Sequence, residues 1–123
     1  MENGPLSVVR ACLKAYADKD RAALEALIAN EYRFSSPLDN ALDRATYFAI
    51  CWPNSETIAG FDMIHGVEHG NTAFIVYEGR TSSGKTFRNC EVHTVHHGRL
   101  IGTEVYFGWD IPHRLPRNSH ADP

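Results

Sequence analysis

The chain of 123 residues lacks several features that define large classes of protein. No apolar run approaches the roughly 20 residues that a membrane-spanning helix needs, and the first residues, "MENGPLSVVR", lack the apolar core of a signal peptide. With 12 Lys and Arg against 15 Asp and Glu, the formal net charge is −3. No broad basic surface is therefore available for the phosphates of a nucleic acid. We expect a cytoplasmic protein that has neither a membrane nor a nucleic acid as its partner.

Cysteine is also scarce, and motifs for covalent or cofactor chemistry are missing. Cys12, Cys51 and Cys90 are odd in number and widely spaced, which is typical of reduced, buried thiols rather than a disulfide framework. The glycine-containing "TSSGK" lacks the spacing of a phosphate-binding loop and the helix that would follow it. The sequence therefore predicts no cofactor, and it contains no local signature of nucleophilic catalysis.

The first half of the chain predicts three helices. Pro5 suits the first turn of a helix whose buried face repeats at helical spacing through Leu6, Val9, Leu13 and Tyr16. Asp20 and Asp43 are expected N-caps of a second and a third helix. The second helix would bury Leu24, Leu27 and Ile28, and Pro53 would end the third directly after Trp52.

From Glu56 onward the period changes to that of strands. Four strand-like runs, "TIAGFDMIHGV", "TAFIVYEGR", "KTFRNCEVHTVH" and "RLIGTEVYFGW", are separated by short hairpin-type connections, and "EYRFSSP" predicts one brief earlier strand. Helices followed by an antiparallel meander indicate an α+β fold. We expect one domain over residues 1–110, a Pro-containing tail over 111–123, and a ligand cavity between the helices and a curved sheet.

Two stretches carry a family resemblance: "YRFSSPLDNALDRATYFAICWP" between helix and sheet, and "HHGRLIGTEVYFGWD" at the end. With this order of elements, the chain resembles the nuclear transport factor two-like superfamily, and within it the SnoaL-like proteins. The resemblance implies a cystatin-like cone, with three N-terminal helices packed in a strongly curved, mainly antiparallel sheet. It also implies homodimers through the outer face of the sheet. Because the superfamily holds isomerases, cyclases, hydrolases, dehydratases and binding proteins, it does not define an activity.

The stretch "FRNCEVHTVHHGRL" holds the densest group of polar side chains. The strand period places Asn89, Glu91 and His93 on one face with Phe87 and Val95. A more distant similarity to ketosteroid isomerases, which use an aspartate base and a protonated aspartate, implies that Glu91 corresponds to the protonated acid. That correspondence turns the row toward the cavity. The same counting implies that Thr103, Val105 and Phe107 point inward, and Glu104 and Tyr106 outward.

The similarity to ketosteroid isomerases breaks at the base. The residue before Pro37, where that family carries its base, is Ser36, and a hydroxyl group cannot abstract a proton from carbon unaided. Asp39, just past the turn, is a possible substitute. The tyrosine that the family carries on its helix falls nearer Leu13 than Tyr16. A steroid isomerase of the usual mechanism is therefore not expected.

Glu91 and His93 remain the best acid–base pair. In a largely apolar cavity, a carboxyl group can keep a proton and donate it near neutral pH. The predicted function is binding of a small hydrophobic carbonyl or cyclic molecule, with proton transfer by Glu91, His93 and Asp39. The residues expected to contact this ligand are Tyr16, Phe34, Ser36, Trp52, Tyr77, Asn89 and Phe107. The alternative is a non-catalytic ligand-binding or dimerisation domain in which the polar residues only satisfy one another.

Metal binding is the weaker interpretation. Glu91 and His93 could supply two ligands, completed by Asp39 or His65, but no tightly spaced ligand motif supports this. The run "HGVEH" matches the H-x-x-E-H pattern of inverted zinc peptidases, which requires a helix. On a strand, His65 and His69 would lie roughly 13 Å apart. No metal is predicted, and the direction in which His65 points depends on the length of the following turn.

Overall fold

The computed structural model describes residues 4–114. Its helices are α1 (Pro5–Ala17), α2 (Arg21–Leu27), α3 (Arg44–Ile50) and a 3-10 helix (Trp52–Thr57). Its strands are β1 (Ile28–Ser36), β2 (Asp39–Asp43), β3 (Ile58–His69), β4 (Thr72–Thr81), β5 (Thr86–His96) and β6 (Arg99–Ile111). The rest of the predicted tail, residues 115–123, lies outside the described residues.

The strands form one curved, unclosed sheet in the order β2-β1-β6-β5-β4-β3. All neighbouring strands are antiparallel except β1 and β6, which are parallel. Helix α1 packs against β3, β4, β5 and β6, so the helices lie on one face of the sheet. The predicted α+β cone with a mainly antiparallel sheet is confirmed. Within residues 4–114, the structure contains no helix that is long and apolar enough to cross a membrane.

The helices begin where their capping residues predict. The Asp20 carboxylate accepts a hydrogen bond from the Ala23 amide (3.1 Å), and the Asp43 carboxylate accepts one from the Thr46 amide (2.9 Å). The prediction that Ile28 lies on helix α2 is wrong. Ile28 is extended and pairs with β6, because a buried β-branched residue at this position packs well in a strand.

The segment after Pro37 forms a strand that the sequence pattern did not indicate. Residues Asp39–Asp43 pair antiparallel with β1, with Leu42 opposite Phe34. Ser36 holds the turn between the strands, because its hydroxyl accepts from the Leu38 amide (3.0 Å) and donates to the Asp39 carboxylate (2.8 Å). The run is too short to show a period of two.

A bulge in β3 decides which side chains of that strand face the helices. The register with β4 shifts between Met63 and His65, so that Met63 rather than Ile64 lies opposite the buried Tyr77. Counting back from the two-residue turn at Gly70 and Asn71 with no bulge would point Asp62 and Ile64 inward, but with the bulge both are exposed. His65 points away from the helices.

A second bulge sets the pairing of β5 with β6. The two strands are joined by His97 and Gly98, which both have positive φ (51° and 75°), as a type I′ hairpin turn requires. The pairing then skips Ile101, and this brings Thr103 opposite His93. Without the bulge, Thr103 would lie on the outer face, since a shift of one residue exchanges the two faces of a strand.

The core lies between the helices and the inner face of the sheet. Its most deeply buried side chains come from α1, α2 and three strands: Val9, Leu24, Ile28, Tyr32, Ala73, Ile75 and Leu100. From the predicted face of α1, Val9 is fully buried, whereas Leu6, Leu13 and Tyr16 are partly buried against the core. Because these three side chains only partly fill the interior, space remains between α1 and the sheet.

The lack of a side chain at Gly79 lets the ring of Phe87 on β5 pack directly against β4 on the inner face of the sheet. A Cβ atom at Gly79 would overlap the ring of Phe87. We expect Gly79→Ala to lower the free energy of unfolding by about 1–3 kcal/mol, the usual cost of overpacking. Gly102→Ala is the matched control, because the nearest atoms to its added Cβ lie 4.0 Å away. Urea denaturation measures both, and equal stability of the two variants would contradict this packing.

Candidate functional site

A cavity of about 300 Å³ lies between the helices and the inner face of the sheet. Of the ten residues predicted for the site, nine line it: Tyr16, Phe34, Ser36, Asp39, Tyr77, Asn89, Glu91, His93 and Phe107. Trp52 is not in its wall; the Trp52 ring packs edge-on against Tyr16 and tilted against Phe48. The wall is mainly aromatic and aliphatic, as in ligand pockets generally.

Glu91 is the buried acid of this cavity, at 9% exposure. It lies in the middle of β5, opposite Ile75 of β4 and Val105 of β6, so its side chain shares their inward direction. The Tyr77 hydroxyl donates to Oε2 of Glu91 at 2.6 Å. The other carboxylate oxygen, Oε1, lies 2.8 Å from Nε2 of His93. Both oxygens of the carboxyl group are thus hydrogen-bonded inside the protein.

His93 is held at both ring nitrogens. Nε2 bonds Glu91, and Nδ1 lies 2.9 Å from the hydroxyl of Thr103 on β6. A threonine hydroxyl can donate or accept, so it can partner either the neutral or the protonated ring. The arrangement therefore lets a proton lie on His93 or on Glu91 without breaking a contact. Thr103 was predicted to point inward but was not among the predicted site residues, since its contact depends on the bulge at Ile101.

Asn89 extends these hydrogen bonds toward the carboxyl-terminal end of β6. Its amide nitrogen donates to the Tyr77 hydroxyl (3.2 Å), and its Oδ1 accepts from the Gly108 amide (3.1 Å). We call the side chains of Asn89, Tyr77, Glu91, His93 and Thr103 the polar row. Among residues 4–114, each buried side-chain nitrogen or oxygen has a hydrogen-bond partner. The polar row therefore satisfies its buried hydrogen-bonding groups within the protein itself.

Other ionisable groups of the wall are held in their neutral forms. Burial, and then the negative charge of Glu91, raise the pKa of Tyr77. Burial raises the pKa of Cys12 to about 12, again with a contribution from Glu91. Thiols and phenols in this state are neither nucleophiles nor bases near neutral pH. Glu91, His93 and Asp39 are therefore the wall residues with acid–base chemistry to offer.

Asp39 lies at the rim of the cavity, half-buried, beside the exposed Leu38. It is the first residue of β2 and accepts the hydrogen bond from Ser36 described above. Burial and the charge of Asp39 raise the pKa of Cys51 to about 11. Tyr16 closes this side, because its hydroxyl donates to the Cys51 carbonyl at 3.0 Å. The rim thus carries a carboxylate next to apolar and aromatic side chains.

Within residues 4–114, the histidines outside the polar row do not line the cavity. His65 faces away from the cavity, and His65 and His69 lie on the extended strand β3. His96 and His97 are exposed at the hairpin turn, with their rings 3.9 Å apart. Within the described part of the chain, no three His, Cys, Asp or Glu side chains are grouped to hold a metal ion.

Comparisons with known proteins rest on structure rather than sequence. No protein-family model matches the chain, and no curated protein matches it in sequence. An NTF2-like protein of unknown function from Cytophaga hutchinsonii has a TM-score of 0.71 at 16% identity, covering 88% of this chain and 93% of that one. An LEH-like epoxide hydrolase from M. tuberculosis has a TM-score of 0.70 at 17% identity, with 85% and 82% covered.

A ketosteroid isomerase-like protein from Kribbella flavida has a TM-score of 0.72 at 12% identity, covering 97% of this chain and 87% of that one. These likenesses show that the chain has the nuclear transport factor two-like fold, as its resemblance implied. At such identities they show the fold alone. Since the similar folds carry different activities, the chemistry has to be argued from the residues of the cavity.

Two tyrosines test whether burial makes the polar row a stabilising unit. Tyr77 donates to Glu91 inside the cavity at 2.6 Å, whereas Tyr106 donates to Glu104 on the exposed face at 2.7 Å. We expect Tyr77→Phe to lower the free energy of unfolding by about 1.5–3 kcal/mol, since it leaves a buried acid with one donor fewer. Measured in a Phe74→Lys background, which keeps the outer face of the sheet exposed to water, Tyr106→Phe should change it by less than about 0.5 kcal/mol. Equal losses of unfolding free energy in urea denaturation would show that burial does not make the Tyr77–Glu91 hydrogen bond more stabilising than the exposed one.

Proposed function

We propose that the cone binds a small, mostly hydrophobic molecule with a carbonyl group or ring, and that Glu91 and His93 move a proton on it. One observation carries the proposal: a buried, hydrogen-bonded carboxyl–imidazole pair lies in the wall of an otherwise apolar cavity. A volume of about 300 Å³ is at the small end of ligand pockets, so the ligand is a compact molecule.

The polar row gives each residue a role in this chemistry. Glu91 and His93 already share one hydrogen bond, so a proton taken up by one can be passed to the other. Tyr77 fixes the orientation of the carboxyl group from the opposite side, and Asn89 in turn holds the Tyr77 hydroxyl. Asp39 at the rim is a second carboxylate that can act as the base. Moving a proton between two carbons of a ligand changes no oxidation state and needs no cofactor.

A second candidate function is non-catalytic binding or dimerisation, and one observation favours it. The polar row is fully paired within the described residues, so it needs no ligand to satisfy it. In this candidate the row stabilises the inner face of the sheet and specifies how β4, β5 and β6 pair. The two candidates differ in whether Glu91 exchanges protons with a bound molecule.

Deuterium exchange separates the two candidates without knowledge of the natural substrate. We expect the protein to accelerate exchange of the protons next to the carbonyl of one or more cyclic ketones in deuterium oxide, measured by proton NMR. Glu91→Gln should reduce this rate by a factor of about 100 or more, the usual contribution of a general acid or base. Glu104→Gln, on the exposed face, is the matched control and should leave the rate unchanged.

The controls also define the contrary result. A thermal-shift series with the same ketones reports whether each compound binds to the wild type and to both variants. Exchange that survives unchanged in a folded Glu91→Gln variant would overturn the assignment of Glu91. If no ketone shifts the melting temperature and none exchanges, the structural candidate is supported instead.

We also propose a homodimer through the outer face of the sheet. This face exposes large apolar side chains, with Val67 at 60%, Phe74 at 45% and Tyr106 at 53% exposure. Val67 lies directly opposite Phe74 on the neighbouring strand, so the two form a continuous apolar surface. The cytoplasmic location expected from the sequence stays a prediction.

The molecular mass in solution tests the proposed dimer directly. Light scattering should give a mass of twice the 13.8 kDa of the chain. Phe74→Lys should shift the protein toward the monomer, because it places a charge on the apolar surface. A matched change at Arg99→Lys, at the exposed start of β6, should not. A wild-type mass of one chain would contradict the proposal.

A further inference from the structure

The ionisable side chains in the cavity wall are not balanced in charge. Glu91 and Asp39 are carboxylic acids, and the residues of the described chain that line the cavity include neither a lysine nor an arginine. Lys19 donates to the carbonyl of Ile58, a lining residue, but its own side chain is not in the wall. Arg80 pairs with Asp62 on the outside of the sheet. The excess of acids is thus a property of the cavity wall and not only of the whole chain.

His93 does not remove this imbalance. Its two ring nitrogens are hydrogen-bonded to Glu91 and Thr103, so neither nitrogen is left without a partner. When Glu91 is ionised and His93 is neutral, Glu91 and Asp39 both contribute negative charge to the wall. When the pair holds one more proton, on Glu91 or on His93, the pair is neutral overall and the charge of Asp39 is left. In either state of the pair the wall is negative.

The neutral side chains of the wall respond to the same field. After burial, the charge of Glu91 is among the causes that raise the pKa of Tyr16 and of Tyr77. The charge of Asp39 has the same effect on the pKa of Cys51 at the rim. Burial is the largest cause of each shift, and the charges of Glu91 and Asp39 add to it. An anionic ligand group among these side chains meets the repulsion of the two carboxylates in addition to the cost of burial.

The wall also offers favourable contacts for a cation. Asp39 accepts one hydrogen bond from Ser36, and a carboxylate can accept several more. Eight aromatic rings line the cavity, and the face of such a ring attracts an ammonium group: Tyr16, Tyr32, Phe34, Tyr47, Phe61, Tyr77, Phe87 and Phe107. The position of Asp39 at the rim lets the ammonium group stay partly hydrated while an apolar body fills the interior.

We infer that the natural ligand of the cone carries a protonated amine, bound at Asp39 on the rim, while its hydrophobic body extends toward the polar row. The inference rests on the proposed function, since it assumes that the cone binds a small molecule at all. It adds the charge class of that molecule: amines are accepted, whereas carboxylates and phosphates of the same size are rejected.

Three molecules of nearly equal shape test the charge class. Calorimetric titration with benzylamine, benzyl alcohol and benzoate compares a cation, a neutral group and an anion on one ring. We expect benzylamine to bind at least about tenfold more tightly than benzoate, which corresponds to about 1.4 kcal/mol, with benzyl alcohol between them. Asp39→Asn should reduce the preference for benzylamine over benzyl alcohol. Asp62→Asn, on the outside of the sheet, should leave it unchanged.

The contrary results separate this inference from the proposed function. If benzyl alcohol binds and benzylamine binds no better than benzoate, the charge class is wrong while ligand binding in the cone stands. If the preference for the amine persists in Asp39→Asn, the assignment of the ammonium position to Asp39 is overturned. If none of the three binds to the wild-type protein, both the inference and the ligand-binding proposal are overturned.

Discussion

The hydrogen bonds that hold the Glu91 carboxyl group are the interaction on which the rest of this structure depends. A carboxylate removed from water costs several kcal/mol unless donors replace the lost hydration. Here Tyr77 comes from β4, Glu91 and His93 from β5, and Thr103 from β6. Since three strands must be in one register for these groups to meet, the polar row and the pairing of the sheet support each other.

That constraint explains what the sequence could and could not predict. The period of two was enough to place Asn89, Glu91 and His93 on one face, because β5 has no bulge across those positions. It failed on β3, where the bulge beside Ile64 exchanges the faces, and a bulge is determined by how neighbouring strands fit rather than by local pattern. The strand β2 was missed because five residues are too few to show a period.

The features of the cavity that depend on local sequence patterns were likewise predictable, whereas those that depend on tertiary packing were not. The arrangement of helices and strands predicted that a cone would leave space, and the inward row on β5 predicted the polar part of its wall, Asn89, Glu91 and His93. The displacement of Trp52 from the wall was not predictable, because it depends on the packing of the 3-10 helix against Tyr16 and Phe48. The contact of His93 with Thr103 likewise needed the register of β6. Local patterns therefore identify candidate residues, whereas the contacts among them require the tertiary structure.

A nitrogen NMR spectrum of the histidine side chains, with His93 assigned by comparison with a His93→Gln variant, tests whether the polar row holds His93 in solution. If His93 is held between Glu91 and Thr103, its two ring nitrogens should give separate signals, with a ring proton that exchanges slowly with water. His96 and His97, exposed at the turn, should show averaged signals and fast exchange. Averaged signals for His93 that resemble those of His96 and His97 would show that Glu91 and Thr103 do not hold its ring.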